Sequence, residues 1–191
     1  MNALVIVLVI LLLVIIIPLV MLMRIYNELV KERVLVEEGW SGIGTYLQKR
    51  LDLIPNLVET VKGYAAHEKD ILSEISKWHS RGVSAINADE QQQVAIGLSS
   101  ALRSVFSIAQ NYPEFKADTH FQNLYYTLDE IEDNINSARR YYNGAVREYN
   151  QSIAVFPKFF IANAFGFKPK TFFAEQQEAY TPPKVNFTGN N

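Results

Sequence analysis

The sequence predicts an all-α protein, with one apolar helix leading into long helices packed as a bundle. Three observations carry this. Residues 1–23 hold no charged side chain, and only Asn2 and Pro18 among them fall outside the hydrophobic class. Beyond them, apolar residues recur at steps of three and four, the spacing of one helix face. No strand pattern is read between these stretches.

Composition sets outer limits. The chain has 191 residues, 18 basic and 20 acidic side chains, and a net charge of −2. That length fits one domain of ordinary size plus the apolar segment. With no cysteine, disulfide scaffolds, thiolate nucleophiles and zinc fingers are excluded, while either redox compartment is tolerated. The near-neutral balance gives no footing for nucleic-acid binding, which needs a basic excess.

Ala3 to Met23 is 21 residues without a charge. As a helix it spans about 31 Å, against about 30 Å of bilayer hydrocarbon. It is read as a retained single-pass anchor. A cleaved signal peptide is the alternative, but the run is long, no Lys or Arg precedes it and no small-x-small pair follows it. Pro18 is tolerated in such a helix, with a kink expected. Arg24, Lys31 and Arg33 follow the span, interleaved with Glu28 and Glu32. The positive-inside rule then expects the N-terminus outside and the body in the cytoplasm.

The next helical face runs Val36, Trp40, Ile43, Leu47, Leu51, Ile54, Leu57 and Val61. Gly39, Gly42 and Gly44 suggest close approach of another helix, or a bend. At Pro55 either the helix kinks, or one helix ends near Leu51 and a second begins with Asp52 as its cap. Residues 82–93 read as a connection leading into a helix, with Gly82, Asn87 and Asp89 as turn and cap residues. Val94, Leu98, Ala101, Val105 and Ile108 mark another face, which Asn111-Tyr112-Pro113 ends. The cleanest seam is Phe121, Leu124, Leu128, Ile131, Ile135, Ala138, Tyr142, Ala145 and Tyr149. It runs four heptads, as in a bundle or coiled coil. Past residue 152 aromatics crowd, and short helices are expected at 157–165 and near 171–179, then an extended tail. Those aromatics either cap the open end of the bundle or face lipid or a partner. The expected organisation is an anchor over 1–23, a long-helix bundle over 24–155, and an aromatic-rich terminal region over 156–191.

Chemistry is nearly absent from the pattern. His67, His79 and His120 lack both the paired spacing of a zincin and the Glu-x-x-His of a di-iron bundle. Gly39-Trp40-Ser41-Gly42 misses the spacing of a nucleophile elbow and the strand it requires. Neither a dinucleotide loop nor a P-loop is present. No metal, cofactor or catalytic residue is therefore expected. Arg139 and Arg140 can meet acids on a facing helix or bind an anion, and the first, structural role is the one expected. Asn143 and Asn150 each follow a tyrosine and lie seven apart, on nearly the same helical face. They can offer two amides to a neighbouring helix or a partner.

The ordered motifs resemble the LemA family of bacterial membrane-anchored helical proteins. The resemblance covers nearly the whole chain. It includes Tyr26-Asn27-Glu28-Leu29-Val30, then Arg50-Leu51-Asp52-Leu53-Ile54-Pro55-Asn56-Leu57-Val58-Glu59 and Ala138-Arg139-Arg140-Tyr141-Tyr142-Asn143. Tyr149-Asn150, Phe156-Pro157, Phe165-Gly166-Phe167-Lys168 and Pro183-Lys184-Val185-Asn186-Phe187 complete it. Departures are Gly39 before Trp40, where a small helix former is usual, and Trp78 and His79 near Arg81. The resemblance implies an antiparallel bundle of long helices and a bacterial cell-membrane location, with no established enzymatic activity.

The expected role is a non-enzymatic scaffold or interaction protein that self-assembles as a homo-oligomer and acts on membrane organisation. Its expected partners are the bilayer, further copies of itself and an unidentified protein, with no nucleic acid. Candidate structural or interaction residues are Asp52, Pro55 and Asn56 at the proline, Arg139, Arg140, Asn143 and Asn150 on one face, and Phe165 and Phe167 near the end. The alternatives are an adaptor for a membrane signalling protein, or an enzyme using Glu59, His67 and Glu68. A stoichiometric metal in the purified protein would favour the last.

Overall fold

The computed structural model describes residues 3–65 and 67–173. Among them six helices and no strand are found. Helix α1 (Ala3–Tyr64) is 62 residues long and passes through both Pro18 and Pro55. Helices α2 (Lys69–Ser84) and α3 (Ala88–Ala109) follow, then the short α4 (Pro113–Ala117). Helix α5 (Thr119–Ala154) and the short α6 (Lys158–Ala164) complete the order.

The two options at Pro55 resolve into one continuous helix. Pro55 faces solvent, where water can take the bond that its missing N–H leaves open. Asp52 is therefore an interior helical residue and not a cap. Its Oδ1 accepts from Gln48 Nε2 at 2.7 Å, one turn back. The break comes later, at residues 65–68. There Tyr64 stacks on Phe115 with ring centroids 5.6 Å apart and donates to Asp118 Oδ2 at 2.8 Å. Tertiary contacts fix that end, which is why the periodicity gives no warning of it. The expected connection over 82–93 shortens to residues 85–87, and Asn87 caps α3 by accepting from Glu90 N at 2.8 Å. Asp118 caps α5 by accepting from Phe121 N at 2.8 Å.

Helices α1 and α5 run antiparallel along the body. Glu32 meets Ser152, Trp40 meets Tyr142, Arg50 meets Glu132 and Tyr64 meets Asp118. The pair approaches closely at Gly39, where an added Cβ would lie 3.1 Å from Tyr142 Cα. Gly42 and Gly44 face open space, so only one of the three glycines serves close approach. Near the apolar segment, α1 and α5 form a two-helix stem. Its core includes Ile25, Leu29, Val36, Ile43, Tyr142, Val146, Tyr149, Ala162 and Phe167. Farther along, α2 and α3 fold against α1 to make a head around Leu51, Ile54, Leu57, Ile75, Leu98, Val105, Phe115 and Leu128.

From Val5 to Met23 every side chain is exposed. This part of α1 is long and apolar enough to cross a membrane. The seam of α1 begins at Ile25, two residues past Met23. The expected short helix at 157–165 is α6. Residues 171–173 are not helical, and the remainder of the helix expected near 171–179, with the tail, lies outside the described residues.

Candidate functional site

The most specific polar geometry lies on the lower half of α5. After α6 the chain reverses at Gly166, whose φ is +73°, a conformation glycine adopts without a Cβ clash. Residues 167–173 then run back along α5 as a strap. Asn150 grips Lys170 twice, its Nδ2 donating to the carbonyl at 2.8 Å and its Oδ1 accepting from the N–H at 2.8 Å. Asn143 holds Phe173 in the same way, at 3.1 and 2.9 Å. The Tyr149 hydroxyl donates to Lys168 O at 3.0 Å and the Tyr142 hydroxyl to Thr171 O at 2.8 Å. Seven helical residues advance about 10.5 Å, and three residues of drawn-out chain reach about the same distance. The Tyr-Asn pairs are thus in register with the strap. Every contact is to its backbone, so they read its course and not its side chains. Phe167 and Phe173 anchor it, in the core near Tyr26 and Trp40 respectively.

A second polar cluster lies where the stem meets the head. Arg50 is 1% exposed. It donates through one terminal nitrogen to Ser99 Oγ and Glu132 Oε2, both at 2.7 Å, and through the other to Ala95 O at 3.0 Å. Burial pulls this guanidinium below its ordinary pKa, and Glu132 offsets part of that pull. Three helices therefore converge on one cation. At the base of the stem, Lys158 Nζ reaches Glu28 at 2.8 Å and Glu32 at 3.4 Å. Burial lowers its pKa, but the two carboxylates outweigh burial and the net shift is upward.

The sequence pattern of the LemA family matches residues 39–187. The chain belongs to the LemA family. The match takes in the head, α1 from Gly39 onward, α5, α6 and the strap. Among similar curated proteins, magnetosome protein MamQ 2 of Paramagnetospirillum magneticum is 28% identical over 188 aligned positions, covering 85% of this chain and 69% of that protein. Magnetosome protein MamQ of Magnetospirillum gryphiswaldense is 27% identical with the same coverage. Protein LemA of Metamycoplasma hominis is 24% identical over 135 positions, covering 68% of this chain and 60% of the relative.

In this LemA chain the candidate residues do not form one site. Asp52, Pro55 and Asn56 are exposed on the outer face of α1. Among the described residues Arg139 and Arg140 do not meet acids on a facing helix, where the sequence led us to expect them. They donate instead to Asn136 Oδ1 and Ser137 Oγ on their own helix, at 2.8 and 2.9 Å. Acids on a facing helix are met instead by Lys158 and by Arg50. The signal for Arg50 was present, since it falls on the face of Leu47, Ile54 and Leu57, and a charge in that stripe needs a partner. Asn143 and Asn150 do turn their amides to a neighbour, which is the chain's own strap. Phe167 is buried, whereas Phe165 is 58% exposed. Glu59 and His67 are exposed, and Glu68 accepts from the Tyr112 hydroxyl at 3.1 Å. Among the described residues no group of three His, Asp or Glu is placed to hold a metal.

Between α3 and α5 the head opens into a cleft of about 680 Å³, lined by Leu102, Phe106, Phe121, Tyr125, Tyr126 and Glu132 among others.

Proposed function

We propose that the protein is a membrane-anchored, non-enzymatic helical scaffold, which self-associates and displays its bundle beside the bilayer. The observation that carries this reading is α1. One helix holds both the apolar span and one side of the body's core. Anchor and body are thus joined without a flexible tether, and the bundle is presented at a fixed height. That suits a protein whose surfaces must meet other surfaces in the membrane plane. Its place is the bacterial cell membrane, with organisation of that membrane as the process served. Arg24, Lys31 and Arg33 just past the span favour a cytoplasmic body.

The test is the size of the full-length protein in detergent, by mass photometry and negative-stain imaging, beside a chain starting at Arg24. Large ordered particles that need the span are expected. Monomers in both cases would overturn self-assembly. The open α3–α5 cleft favours a second reading, an adaptor that receives part of another membrane protein, and crosslinking in cells would then identify it.

A further inference from the structure

We infer that Phe156, Phe159, Phe160 and Phe165 form a second membrane contact, a foot beside the span that rests in the boundary between headgroups and acyl chains. The inference rests on the membrane-anchored reading above.

Position comes first. Lys158 is tied to Glu28 and Glu32, Ala162 shares a core with Ile25 and Leu29, and the Phe165 ring lies 4.9 Å from Tyr26. Helix α6 is therefore level with residues 25–32, about 3–14 Å beyond Met23 along the helix axis. The headgroup layer is about 5–8 Å thick on each side, which takes in the nearer part of that range, and interfacial helices sink their apolar face about 5–10 Å toward the acyl chains. Chemistry agrees with position. Phe156, Phe159, Phe160 and Phe165 are 82, 46, 64 and 58% exposed. The first three touch, with ring centroids 6.0 Å apart for Phe156–Phe160 and 5.8 Å for Phe159–Phe160. A contiguous exposed aromatic patch is uncommon on a soluble surface. Lys158, the only charged residue of α6, is turned inward to its two glutamates. The outward face is thus uncharged, with Asn163 its one polar side chain, and needs no anionic lipid. The patch lies at the level where α1 leaves the apolar span, with Phe165 against Tyr26 three residues past Met23, and this nearness to the span names the bilayer as its occupant.

The chain has no cysteine, so single nitroxide labels can be placed in the full-length protein without background. Phe156→Cys, Phe160→Cys, Tyr126→Cys on the head and Val14→Cys in the span would be labelled and reconstituted into phosphatidylcholine vesicles. Collision with oxygen and with a water-soluble nickel chelate then reports depth. The expected oxygen-to-nickel ratio at 156 and 160 is several-fold above that at 126 and below that at 14, and is unchanged by salt. A ratio at 156 and 160 equal to that at 126 would overturn the foot. So would exclusion of both reagents with spin–spin broadening, because a second copy would then cover the patch. A nickel-accessible label at 14 would instead overturn the membrane-anchored reading. Unchanged thermal melts would show that each labelled protein is folded.

Discussion

Arg50 is the charged side chain buried in the core among the described residues, and its ion-pair partner is Glu132. Removing one member of such a pair leaves an uncompensated buried charge, whereas replacing both with apolar groups is often neutral. Glu132→Ala is therefore expected to lower stability by up to about 3 kcal/mol, the value being limited by the partial exposure of Glu132. Arg50→Met with Glu132→Leu should recover most of it, as thermal melts of the detergent-solubilised protein would show. Asp118 gives a pH dependence. The Phe121 N–H and the Tyr64 hydroxyl hold its carboxyl below the ordinary range. A depressed carboxyl stabilises the fold above its unfolded pKa of about 4. That contribution disappears as pH falls through the lower, folded value. Asp118→Asn should melt below wild type at pH 7, and the gap should close below pH 4.

At the scale of elements, packing and the strap carry the predictions. A methyl on Gly97 would enter the Trp78 indole where α2 crosses α3. Gly97→Ala should cost about 1–3 kcal/mol of packing, against up to about 1 kcal/mol gained in helix propensity. Its melting temperature should fall accordingly. Asn143→Ala with Asn150→Ala removes four hydrogen bonds from the strap. Trypsin should then cut the Lys170–Thr171 bond faster than in wild type, while the bundle melts nearly as before. The seams of α3 and α5 were legible because burial imposes the helical period on them. The break after Tyr64 was not, because contacts with Phe115 and Asp118 fix it from far along the chain. The two Tyr-Asn pairs announced a polar face, but their target could not be read. A strap recognised through its backbone leaves no pattern in its own side chains. Helix α6 was expected nearly where it lies, yet the sequence could not say which phenylalanines turn inward. That division depends on the close seat of Ala162 against Ile25 and Leu29.

For the whole molecule, the continuity of α1 makes the direction of the body a property of the span. Inserting two alanines after Met23 would turn the bundle by about 200° and lift it by about 3 Å. The melting curve should stay unchanged, because no core contact is crossed, while particles that depend on the span should be lost or altered in negative-stain images. The same continuity makes α1 a lever. From Arg24 to Ile54 it is free of proline and about 46 Å long. Spans tilt by about 20° on average, and by more where the hydrocarbon layer is thin. A tilt of that size carries the far end of the arm sideways by about 16 Å. A tilt of about 20° shortens a span of about 31 Å by about 2 Å along the bilayer normal, so a difference of that order in hydrocarbon thickness would move the head by several times as much. What is a small change at one end of α1 is thus a large one at the other.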